Sequence, residues 1–330
     1  MLKTLYSFKS KYLYLFLIFV FSVAFSYNGN MAAGAVSAAI GGAFFAVLSF
    51  SDCNKKILYV LPLISAITVW LLTADEFKSL LSIGYLIVGL SISYSVSKLK
   101  NRSQSIMISA FALGIFYLII YFAHIIYAYG YLTVDSIKAY VNLFFDKAAA
   151  FIKNSNDSFV LSDGKHMFSE ESINSIIISL KYSFAGLYIS GLLIASFFSN
   201  LAFKVSVSKL TTESEMIRNV SETKLTLSRQ AGVVFIILYV IAVFATSLPP
   251  YMILTIETFT FPLQLGLVYM GASVMWQRLK NGRLSVFSLA IVAAASLFIF
   301  GSFLSVLISV MTIFGLFDVF RKNRKVNKTL

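Results

Sequence analysis

Apolar residues fill the chain in long runs separated by short segments that hold nearly all the charge. At 1.5 Å rise per residue, about 20 apolar residues cross roughly 30 Å of hydrocarbon. On that scale the runs 12–27, 31–50, 57–74, 79–97, 105–130, 176–203, 231–248, 251–276, 285–300 and 302–320 read as spans. A barrel would show short alternating segments instead. The pattern therefore predicts an all-α polytopic transmembrane bundle of ten spans, with eight or nine if short hairpins do not cross fully. The count turns on Ser285 to Phe320, which as one straight helix would be about 54 Å long. It would also carry Arg321, Lys322, Arg324, Lys325 and Lys328 to the far side, whereas a break near Gly301 and Ser302 returns them.

Charge then sets the orientation. Only Lys78, Lys138, Lys147, Lys153, Lys165 and Lys181 fall in segments on one side, and the remaining 21 of the 27 Lys and Arg share the other. An excess of Lys and Arg in short loops marks the cytoplasmic face. Both termini are expected there, and 154–166 outside. Lys3, Lys9 and Lys11 precede the first apolar run as in a signal peptide, yet no small-x-small cleavage site follows, so a retained first helix is expected. The expected organisation is a five-helix membrane region over 1–130, an extracytoplasmic segment over 131–175, a second membrane region over 176–320 and a basic tail over 321–330. No internal repeat is visible.

Within the outer segment, Val134, Ile137, Val141, Phe144, Phe145, Ala148, Phe151 and Ile152 fall at helical spacing, with Asp135, Lys138, Asp146 and Lys147 elsewhere. This predicts an amphipathic helix lying in the outer interface. Asp163-Gly164 signals a turn, and Ser169, Glu170 and Glu171 signal the start of the next helix, where carboxylates favour the N-terminus. The cytoplasmic stretch 204–230 mixes both signs and reads as solvated helix.

Composition narrows the class. The chain of 330 residues is 58% hydrophobic and only 12% charged, against about one quarter charged in globular domains. Its net charge of +13 is spread over loops beside spans, which fits orientation and attraction to anionic lipid rather than nucleic acid. The single Cys53 excludes an intrachain disulfide and a thiolate metal site. No Walker loop, His-Glu-x-x-His motif, nucleophile elbow or paired carboxylates occur, so no enzyme activity, metal or cofactor is expected.

Ionisable groups inside spans are the default functional candidates, because hydrocarbon penalises them unless they are paired or reach water. Glu257 lies about six residues into the eighth span, followed by Pro262 and Gln264. Proline removes a backbone donor and frees a carbonyl. Tyr251, Glu257, Pro262 and Gln264 thus outline a polar pocket open to the outside; the alternative is a neutralised Glu257 and a merely bent helix. Lys181, at similar depth, either pairs with Glu257 or snorkels to the headgroups. His124, set among Tyr117, Tyr121, Tyr127 and Tyr129, reads as a structural histidine more readily than as a metal ligand. Gly34, Ala38 and Gly42 form a small-residue packing face on the second span, for a helix of this chain or of another subunit.

The stretch Pro262-Leu-Gln264-Leu-Gly266-Leu, the basic turn Arg278-Leu-Lys280-Asn-Gly282-Arg283 and the closing Phe314-Gly315-Leu316-Phe317-Asp318-Val319-Phe320-Arg321-Lys322 resemble the YybS-like family of bacterial membrane proteins. The likeness extends to the outer amphipathic segment before the sixth span. That family is distantly similar to the substrate-binding S components of energy-coupling-factor transporters. The resemblance implies a plasma-membrane subunit without its own ATPase that holds a small molecule near its outer face. It also implies that a small-residue face, here Gly34, Ala38 and Gly42, docks on a coupling subunit. More spans than the six of an S component depart from that pattern. The competing expectation is a membrane scaffold or assembly factor that recruits cytoplasmic partners.

Overall fold

A computed structural model describes residues 8–27, 31–50, 55–158, 169–207, 227–244, 248–281 and 303–326, and among them the chain is helical with no strand. Five helices are long and apolar enough to cross a membrane: Lys55–Thr73, Glu76–Ser97, Arg102–Tyr129, Glu170–Val207 and Tyr251–Leu279. Three shorter apolar helices accompany them, Tyr12–Tyr27, Ala33–Ser49 and Arg229–Phe244. The expected turn at Asp163-Gly164, most of the stretch 204–230, the span 285–300, Cys53 and Lys328 lie outside the described residues. The chain divides into two compact units, Met1–Lys181 with Gly191–Lys224, and Tyr182–Ser190 with Leu225–Leu330.

The first unit contains α1 (Phe8–Tyr27), α2 (Met31–Ser49), α3 (Lys55–Thr73), α4 (Glu76–Leu81), α5 (Gly84–Ser97), α6 (Arg102–Tyr129), α7 (Val134–Ser158) and most of α8 (Glu170–Val207). Side-chain capping sets several of these ends. Asp75 accepts from the Lys78 N–H at the start of α4, and Asn101 with Gln104 closes a reciprocal capping box on α6. Gly130, at φ 78°, ends α6 in the left-handed region. Thr133 and Ser136 then exchange side-chain and backbone hydrogen bonds to start α7. The expected span 79–97 falls within the single span-length stretch Glu76–Ser97, in which a turn at Ser82 and Ile83, both in the right-handed helical region, divides α4 from α5.

Helix direction alternates along this unit. Ser22 donates to Ser65 at 3.0 Å, and Leu15 and Leu58 share a core, so α1 and α3 run in parallel. The pairs Ala38 with Gly84 and Phe45 with Gly89 make α2 and α5 parallel. Ser105 donates to Asn200 at 2.8 Å and Gly114 faces Leu192, so α6 and α8 are antiparallel. Lys55, Lys98, Arg102 and Lys204 consequently gather at one end, while Asp75, Glu76, His124 and α7 gather at the other.

The Gly34, Ala38 and Gly42 face is filled within the chain. A Cβ on Gly42 would stand 2.7 Å from the Val88 Cβ, and Gly84 faces Ala38 across the same seam. Leu81, Gly84 and Val88 thus occupy the surface that the resemblance offers to a coupling subunit.

The second unit holds α9 (Arg229–Phe244), α10 (Pro250–Lys280), α11 (Phe303–Val326) and the middle of α8. Pro250 occupies the first helical position of α10, where its missing N–H is harmless. Phe235, Leu267, Met270 and Val319 form the core. Gly271 meets the Met311 main chain and Gly315 meets that of Leu267, so α10 and α11 touch backbone to backbone and run antiparallel. This arrangement differs from the expected hairpin, since a full crossing by 285–300 would make α10 and α11 parallel. The far end of α11 returns to the start of α9, where Gly232 faces Val319 and Phe320 and the Arg229 guanidinium stands 5.9 Å over the Phe320 ring.

Candidate functional site

The acid-bearing half of α10 is built from residues that bond backward onto their own helix. Thr255, Thr258 and Thr260 donate to the carbonyls of Tyr251, Leu254 and Ile256, a pattern that lets polar side chains sit in an apolar helix. Pro262 lies inside α10 without ending it. It supplies no N–H to the Thr258 carbonyl one turn back, which leaves that oxygen without its helical donor.

Glu257 is half-buried on this helix and accepts a hydrogen bond from the Ser183 hydroxyl of α8. Ser183 is its one hydrogen-bond partner among the described residues, where no ion pair involves Glu257. The contact depends on Gly186, one turn along α8 from Ser183. A Cβ at Gly186 would stand 2.6 Å from the Glu257 main-chain oxygen and 3.0 Å from the Phe261 ring. Glycine therefore permits the helices to cross where the carboxylate lies. Phe261 is four residues beyond Glu257, on the same face.

The other expected pocket residues distribute unevenly. Gln264 is half-buried and, seven residues from Glu257, shares its face. Tyr251 is 69% exposed and, six residues before Glu257, points about 120° away around the helix. Lys181 is exposed, with its ammonium 5.6 Å over the Phe145 ring of α7. Ser183 and Gly186 carry no signal in the sequence beyond the small-residue spacing of Ser183, Gly186 and Ser190 on α8.

Two further polar groupings lie in the first unit. Arg102 is buried at the start of α6 with its guanidinium 5.2 Å over the Phe197 ring, beside the buried Ser105–Asn200 pair. At the other end, His124 packs on Phe77 of α4 at 5.0 Å and on Tyr140 of α7 at 5.6 Å. Tyr121 meets Tyr140 edge-on at 4.8 Å. Burial pushes the Tyr140 hydroxyl above its ordinary pKa, reinforced by Tyr129. Among the described residues no group of three or more His, Cys, Asp or Glu is placed to hold a metal ion.

Comparison with protein-family models, curated proteins and solved structures gives no match to this chain.

Proposed function

We propose that the chain is a multi-pass protein of a bacterial plasma membrane that binds a small molecule near its outer face. In this reading it acts as a transport-associated subunit without an ATP site. The observation that carries it is Glu257, a carboxylate within an apolar helix that accepts from Ser183 and has no cationic partner among the described residues. A carboxylate so placed is costly unless it is protonated, reaches water or meets a ligand. The YybS-like resemblance supports the same role, with Gln264 and Ser183 as further lining groups and Pro262 shaping the helix.

Eight alternating crossings, from α1 to α10, fit the charge distribution. The N-terminus and the segment after Lys280 are then cytoplasmic, and α7 lies in the outer interface. The contacts of Phe320 with Gly232 and Arg229 at the start of α9 support keeping the basic tail on the side of that helix start.

Purification from native membranes followed by mass spectrometry of retained small molecules tests the binding role. Wild type retains a compound that Glu257→Gln, equally folded, loses. Equal retention by both proteins would contradict a role for Glu257 and favour the scaffold.

A further inference from the structure

Resting on the reading of Glu257 as a ligand site, we infer that the ligand is an organic ammonium cation. Three features of the site select this chemistry. The carboxylate lacks a protein cation among the described residues, so a cationic ligand removes the electrostatic cost that a neutral or anionic one would leave or increase. The groups around it are also wrong for a hard metal ion, which takes six or more oxygens. Here Glu257 has a single hydroxyl beside it, from Ser183, and no second acid, histidine or cysteine completes a metal-binding group among the described residues.

The third feature is aromatic. Phe261 sits one turn from Glu257 on the same face of α10, its ring edge directed at the notch that Gly186 leaves in α8. A carboxylate and a ring at this four-residue spacing lie about 5–6 Å apart at their Cβ atoms. That separation lets one ammonium pair with the carboxylate while standing over the ring, within the roughly 6 Å reach of a cation–π contact. Ser183 already donates to Glu257, which fixes the carboxylate and leaves its remaining lone pairs to accept from N–H groups of the ligand. Primary and quaternary ammonium ions share this chemistry and differ in whether they donate those hydrogen bonds.

Hydrophobic carbodiimides label carboxyl groups in apolar surroundings, so labelling of Glu257 itself reports occupancy. Wild-type protein in detergent is labelled at pH 6 and the adduct is located by peptide mass spectrometry, with Glu257→Gln as the control that loses it. Ethylammonium and tetraethylammonium chlorides are compared with sodium chloride, sodium propionate and propionamide at matched ionic strength. At about ten times its Kd a bound ammonium should slow labelling roughly tenfold, while the sodium salts and the amide leave the rate unchanged. Slowing by ethylammonium alone identifies a ligand that donates hydrogen bonds, and slowing by both a site that reads charge. Protection by propionamide or propionate without protection by either ammonium overturns the cation assignment and keeps Glu257 as a ligand site. Absence of protection by every compound overturns both.

Discussion

Ser183 on α8 donates its hydroxyl hydrogen to the Glu257 carboxylate on α10, and Gly186, one turn further along α8, lets the two helices approach at that point. The pair joins residues 74 positions apart and places an acid where the surrounding helix is apolar. Removing the donor with Ser183→Ala should cost about 0.6–2 kcal/mol, the range for hydrogen bonds between membrane helices. Thermal unfolding in detergent measures it. A fully stable Ser183→Ala variant would mean that the hydroxyl does not hold the carboxylate.

Glycines at close helix contacts predict a graded series. At Gly186, Gly271 and Gly315 an added methyl meets main-chain atoms of the facing helix, which cannot move as a side-chain tip can. Each alanine substitution should destabilise by about 1–3 kcal/mol. Gly191 has nothing within 4 Å of an added Cβ, so Gly191→Ala should be neutral or gain up to about 1 kcal/mol from helix propensity. Unfolding temperatures of the four variants settle the order, and a Gly271→Ala protein as stable as Gly191→Ala would contradict the backbone contact of α10 with α11.

Tyr140 docks α7 through its ring contacts with Tyr121 and His124. Burial, then Tyr129, raises its pKa in the folded protein, so its neutral form is the one that favours docking. That contribution is complete below the ordinary tyrosine pKa near 10 and is lost as pH rises through the higher folded value. Limited proteolysis of α7 should accelerate above about pH 10. The variant Tyr140→Phe, which keeps the ring and cannot ionise, should lose this dependence. An unchanged alkaline step in Tyr140→Phe would assign it to another group.

The apolar runs made the helices legible, because crossing hydrocarbon imposes both length and composition on a segment. The amphipathic spacing of Val134 to Ile152 likewise foretold α7, and the small residues at Gly34, Ala38 and Gly42 foretold close packing. What remained hidden depends on which helices meet. Gly271 and Gly315 lie on different helices, so no local spacing advertises their contact. Glu257 stood out by charge alone, whereas Ser183 is one serine among many until α8 crosses α10. The turn at Ser82 and Ile83 stays in the right-handed helical region and leaves no mark in hydropathy, which is also blind to direction and so cannot give the antiparallel setting of α11.

Water access at position 257 from the outer face tests the account most directly. In a Cys53→Ser background, Glu257→Cys is treated in intact cells with a membrane-impermeant thiol reagent. Labelling of Glu257→Cys from outside is the result expected of an outward-facing binding site. A cysteine that reacts only after the cells are permeabilised, or not at all although the protein is folded and inserted, would contradict it.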